Sequence, residues 1–163
     1  DVSAIGLKIL GVVPFEPEMT KLSVGHLAER LLAKVIAGEQ GLTNKVNAIM
    51  VGAMSTNAAM QNPLFKKDGK LVITGGDRTD LVLASIESNT SGIILTNNVL
   101  PPSNIVSKAQ ERGMPLLLVP FDTYQTASQL ESIDPLLTKD DSRKMDLIAQ
   151  MVKDRLSLAD ITG

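Results

Sequence analysis

Apolar and polar positions alternate along the chain in two rhythms. Lys8-Ile9-Leu10-Gly11-Val12-Val13-Pro14 is a short apolar run closed by glycine and proline, which predicts a buried strand followed by a loop through Phe15-Glu16-Pro17-Glu18. The spacing then lengthens. Val24, Leu27, Leu31 and Val35 recur at intervals of three and four, predicting a helix capped by Ser23 and stopped at Gly38. A turn-rich stretch leads to a strand over 46–51. Ser55 opens a short helix closed by Pro63, and Lys66-Lys67-Asp68-Gly69 makes a polar turn.

From Lys70 onward the rhythm is regular. Strands are predicted over 70–74, 92–96 and 114–119; helices follow over 79–87, with Leu81, Val82 and Ile86 inward, over 102–112, and from Asp122 or Thr123. The strands are apolar throughout rather than alternating, as in parallel strands covered on both faces. Right-handed crossovers then give an α/β fold: a three-layer sandwich with a mainly parallel sheet flanked by helices. A C-terminal amphipathic helix over 142–156 carries Met145, Ile148, Met151 or Val152, and Leu156 on one stripe behind Asp140 and Asp141. It is expected to pack on its own domain or on a second subunit. The expected organisation is a terminal strand and linker over 1–20, an α/β domain over 21–135, and this helix within 136–163.

Composition narrows the chemistry. Sixteen Lys plus Arg against eighteen Asp plus Glu leave a net charge of −2 over 163 residues, so no basic field points to nucleic acid or an anionic membrane. The absence of cysteine excludes disulfides, thiol catalysis and Cys-based zinc sites. No apolar run approaches the roughly 20 residues that span a bilayer, and a cytoplasmic location is expected. The one histidine, His26, lies three residues after Ser23 and is expected to be a solvated first-turn residue. No phosphate loop, HExxH or EF-hand spacing occurs. Neither catalytic residues nor a resident metal or cofactor is therefore expected.

Three strand ends carry small or polar residues: Thr74-Gly75-Gly76-Asp77-Arg78, Thr96-Asn97-Asn98, and Pro120-Phe121-Asp122-Thr123. Parallel strands bring such loops to one edge of the sheet, where ligands of open α/β folds bind. Gly75 and Gly76 let backbone approach a ligand, and Arg78 can grip a carboxylate or phosphate with two N–H groups. The other reading of this loop is a tight turn in which Asp77 caps the helix and Arg78 pairs with Asp80 or Asp122. Asn97 and Asn98 tolerate left-handed backbone, and Asp122 and Thr123 read more readily as caps than as ligands.

Gly76-Asp77-Arg78 with Asp80, Leu95-Thr96, Val119-Pro120 with Asp122-Thr123 and Thr126-Ala127, and Val51-Gly52-Ala53-Met54-Ser55 upstream together resemble the DRTGG domain family over roughly residues 22–131. The family's Thr-Gly-Gly stands here as Thr96-Asn97-Asn98. The resemblance implies a regulatory role without catalysis, and a fold similar to the amino-terminal domain of HPr kinase/phosphorylase. It also implies a longer, phosphate-acetyltransferase-like polypeptide, in which such domains lie between a dethiobiotin-synthetase-like P-loop domain and the catalytic domain. The run Ile9-Leu10-Gly11-Val12-Val13-Pro14 resembles the last strand of that P-loop domain, and residue 1 is not methionine. The expected function is a ligand-sensing or assembly domain, binding a small anionic metabolite or nucleotide at the strand ends and forming a homodimer. A purely structural homo-oligomerisation module without ligand is the alternative. Acyl or phosphoryl transfer by this segment would need groups that its sequence does not offer.

Overall fold

The structure, a computed structural model, describes residues 9, 11–135 and 141–156. Two compact units divide the chain, one spanning Lys21–Asp134 and the other drawing on the stretches before and after it.

The larger unit is built on a five-stranded sheet. Its strands are β2 (Lys34–Ala37), β4 (Ala48–Val51), β5 (Lys70–Gly75), β6 (Thr90–Thr96) and β7 (Leu116–Leu118), in the spatial order β2-β7-β6-β5-β4. The last four run parallel, and β2 is antiparallel to β7. Two short strands, β1 (Leu22–Ser23) and β3 (Lys45–Val46), form a separate antiparallel pair. The helices are α1 (Val24–Arg30), α2 (Thr56–Gln61), α3 (Thr79–Ile86), α4 (Ser103–Glu111), α5 (Thr123–Glu131) and α6 (Ser142–Arg155).

Strand alternation distributes the core. Leu71, Ile73, Ile94 and Leu117 face one side of the sheet and pack with Val24, Leu27 and Leu31 of the α1 region and Leu130 of α5. Ile93, Leu95 and Leu116 face the other side, against Val82 and Ile86 of α3 and Ile105 and Ala109 of α4. Met50 of β4 joins that second side through Ala59, Phe65 and Leu81. Every residue of β6 is buried, as expected of a central parallel strand covered on both faces. The three-layer sandwich is thus present, with the strands of the regular region where the apolar runs place them.

Three expectations are corrected. The helix from Val24 does not reach Gly38: it ends at Arg30, and residues 34–37 form the antiparallel edge strand β2. Leu32 adopts φ 49°, and the Ala33 N–H donates to the Ala28 carbonyl at 2.8 Å, closing the helix with a left-handed residue that is not glycine. The apolar run near the N-terminus makes no strand among its described residues. Ile9, Val12 and Val13 are 51%, 72% and 47% exposed, and Gly11 has only an isolated bridge to Leu156. An apolar run specifies a strand only where a neighbouring strand meets its backbone groups. Lys8 and Leu10 lie outside the described residues.

In the smaller unit, α6 forms over the expected span, but its stripe is turned by one residue. Met145 is 48% exposed and Lys144 is buried, with its ammonium 3.6 Å from the Asp141 carboxylate. Leu147, Ile148, Met151 and Val152 continue that face at the same helical spacing. A buried lysine stem beside a carboxylate therefore takes the place expected of a methionine. Asp140 lies outside the described residues.

Candidate functional site

Parallel register brings the strand ends together. Gly75 of β5 lies beside Thr96 of β6, and Leu95 of β6 beside Leu118 of β7. The three following loops touch through backbone. A methyl group at Gly76 would overlap the Val99 carbonyl, so glycine here admits the β6–α4 loop rather than a ligand. Asn97 and Asn98 take φ values of 58° and 55°, the left-handed turn that asparagine tolerates. Their N–H groups donate to the carbonyls of Phe121 at 2.8 Å and Val119 at 2.9 Å, while the Thr96 and Thr123 hydroxyls stand 3.3 Å apart. The chain leaves β6 for α4 on one face and β7 for α5 on the other, so the switch-point crevice lies between these two strands. Here backbone hydrogen bonds stitch that crevice together.

Asp122 is the N-cap of α5. Its carboxylate accepts the Gln125 N–H at 2.8 Å and the Gln125 side chain returns to the Asp122 N–H, a reciprocal capping box. Thr123 begins the helix. Asp122 fits the cap reading, its oxygen that accepts Gln125 being committed to that role, whereas Thr123 is not a cap and its hydroxyl stands against that of Thr96.

The β5–α3 loop is organised differently. Arg78, not Asp77, occupies the N-cap of α3, with no side-chain capping bond, and Asp77 is exposed. The guanidinium hydrogen-bonds neither Asp80 nor Asp122. It donates from Nη2 to the Met54 carbonyl at 2.7 Å and from Nη1 to the Gly52 carbonyl at 3.3 Å, holding the β4–α2 loop against the start of α3. A second clasp runs parallel to the first: the Thr56 hydroxyl donates to Asp80 Oδ2. That bond is the main reason the exposed Asp80 carboxyl sits below its ordinary range, followed by the Leu81 N–H, with a smaller contribution from the charge on Arg78.

Residues 52–55 and Thr74 belong to this constellation. A methyl group at Gly52 would overlap Leu81, and its N–H donates to the Ile73 carbonyl at 2.8 Å. Thr74, 1% exposed, carries a buried hydroxyl with no hydrogen-bond partner. The Val51-Gly52-Ala53-Met54-Ser55 string was a visible sequence signal for the loop, whereas nothing in the sequence marks the unpartnered hydroxyl. His26 also departs from expectation. Its N–H donates to the Ser23 cap at 3.2 Å, yet its ring is half-buried, with Nε2 enclosed and unpartnered.

Among the described residues no group of three or more His, Cys, Asp or Glu could hold a metal ion, and no helix is long and apolar enough to cross a membrane. The smaller unit has its own cleft of about 410 Å³, lined by Glu16, Glu18, Arg143, Asp146, Leu147 and Gln150; it contains none of the strand-end residues.

Residues 26–133 match the model of the DRTGG domain. The chain belongs to the DRTGG domain family. Curated relatives include the phosphate acetyltransferase of Deinococcus radiodurans, 32% identical over 92% of this chain and 22% of the relative. The phosphate acetyltransferase of Pseudomonas putida is 29% identical over 93% of this chain and 23% of the relative. The DRTGG chain thus spans about a fifth of the length of these relatives. In fold it is similar to the crystal structure of the CBS and DRTGG domains of the regulatory region of Clostridium perfringens pyrophosphatase, complexed with the activator diadenosine tetraphosphate. That likeness has a TM-score of 0.59 at 21% identity and covers 86% of this chain and 60% of the other.

Proposed function

We propose that this DRTGG domain is a non-catalytic sensor that binds a small anionic metabolite or nucleotide at the strand ends and regulates a longer, phosphate-acetyltransferase-like polypeptide. The observation that carries the reading is the meeting of three strand-end loops beside a half-buried guanidinium whose present acceptors are neutral carbonyls. Family membership supports it, as does the nucleotide activator held by the similar regulatory region. Only a ligand with different affinity for two conformations can transmit a signal, so binding should favour one arrangement of these loops.

A thermal-shift screen with ATP, diadenosine tetraphosphate, pyrophosphate and acetyl phosphate tests this. Stabilisation by at least one probe at millimolar concentration is expected, and it should be lost in Arg78→Ala. Absence of stabilisation by all four would remove the reading.

A homodimer without ligand is the second reading, favoured by β4. This strand ends the sheet, carries no charge or proline, and leaves Ile49 and Val51 partly exposed. Pairing of two β4 edges about a two-fold axis would join two sheets. Sedimentation of wild type and Ile49→Lys distinguishes the cases: a monomer at micromolar concentration in both excludes the dimer.

A further inference from the structure

For a domain that binds an anion at its strand ends, we infer that the subsite is a covered one. The Thr74 hydroxyl and the Arg78 guanidinium form it beneath residues 52–55, and it takes a phosphate group. The inference rests on the ligand-binding reading above and gives that ligand a place and a way in.

Four observations locate the subsite. Strand alternation turns Thr74 away from the face of Leu71 and Ile73 and toward the side that α3 covers. A methyl group built on Gly52 would lie 3.3 Å from the Thr74 Cβ, so the loop rests directly on that side chain. The hydroxyl beneath it is buried and donates to nothing, a state that native proteins seldom leave unexplained. Arg78 clamps the same loop by its Gly52 and Met54 carbonyls. Lifting residues 52–55 would therefore do two things at once: free the guanidinium and expose a hydroxyl in need of an acceptor.

The exchange is favourable for a phosphate. A guanidinium bonded to a charged oxyanion, two N–H groups to two oxygens, gains ion-pair attraction and a bidentate fit that two separate neutral carbonyls do not supply. The Thr74 hydroxyl can donate to a third oxygen. Charge neutralisation falls to Arg78, the cation that clamps this loop. At the switch-point crevice between β6 and β7 the Asn97 and Asn98 N–H groups are paired with backbone carbonyls and the Thr96 and Thr123 hydroxyls face each other, so among the described residues no unpartnered buried donor awaits an acceptor there.

Calorimetric titration of wild type, Thr74→Val and Thr74→Ser with pyrophosphate and with ATP, together with melting of each free protein, tests the inference. Valine keeps the shape and removes the unpartnered hydroxyl. The free Thr74→Val protein should therefore melt higher than wild type, while its affinity for the probes falls about tenfold, the usual effect of losing one bond to a charged acceptor. Thr74→Ser should bind within about twofold of wild type. Equal binding by wild type and Thr74→Val would overturn the covered subsite and leave the ligand-sensing reading intact. Failure of wild type to bind either probe or any other in the screen would overturn both.

Discussion

Between β6 and β7 the strand ends are joined by the N–H groups of Asn97 and Asn98 on the carbonyls of Phe121 and Val119. Between β4 and β5 the corresponding loop is held mainly by side chains, Arg78 on two carbonyls and Thr56 on Asp80, with one backbone bond from the Gly52 N–H to the Ile73 carbonyl. Opening the first crevice would break both of its backbone bonds at once and release the left-handed turn they hold. A guanidinium can change partners without breaking the fold around it. Two crevices of one sheet, with the β5–β6 pair between them, thus differ in how they are closed, and the proposed ligand is placed in the one clasped mainly by side chains.

The largest expected effect comes from removing the close backbone approach that the first region depends on. Gly76→Ala places a methyl group against the Val99 carbonyl and should destabilise the domain by about 3 kcal/mol in urea unfolding, as overpacking against backbone does. A loss under about 1 kcal/mol would mean that the β6–α4 loop yields easily, blurring the contrast. Arg78→Ala removes the side-chain clamp and should cost about 1.5 kcal/mol in the same measurement, the usual scale for hydrogen bonds to a charged group. Asn98→Ala should cost about 1 kcal/mol because alanine resists the left-handed backbone, and Asn98→Gly should be close to neutral.

Acidification gives the smallest effect. The Asp80 carboxyl titrates below its ordinary 3.8, chiefly because the folded state gives it the Thr56 hydroxyl. Its contribution to stability is therefore present above 3.8 and disappears as pH falls through the lower folded value. Thr56→Val should flatten that acid limb by lowering stability slightly at neutral pH, and should leave stability below the folded value almost unchanged.

The alternating region from Lys70 to α5 was legible because its apolar runs, caps and glycine stops agree with one another. Ser23, Ser55 and Asp122 all cap the helices they were expected to open. The edge strand β2 was not legible. Val35 continues the spacing of Val24, Leu27 and Leu31, and the helix ends at a left-handed leucine, 90% exposed, where pattern reading looks for glycine. The strand-end loops were legible as neighbours, since parallel direction follows from β-α alternation. The partners of Arg78 were not, because a carbonyl acceptor can belong to any residue type. The unpartnered hydroxyl of Thr74 follows from the placement of Gly52 over it, which only the packed structure reveals.

Amide exchange separates the two crevices most directly. In wild type titrated with pyrophosphate, the Gly52 N–H, bonded to the Ile73 carbonyl in the free domain, should exchange faster as residues 52–55 lift. The amides of Asn97 and Asn98 should keep their protection. Faster exchange at Asn97 and Asn98 with Gly52 unchanged would place the ligand in the other crevice and contradict the account.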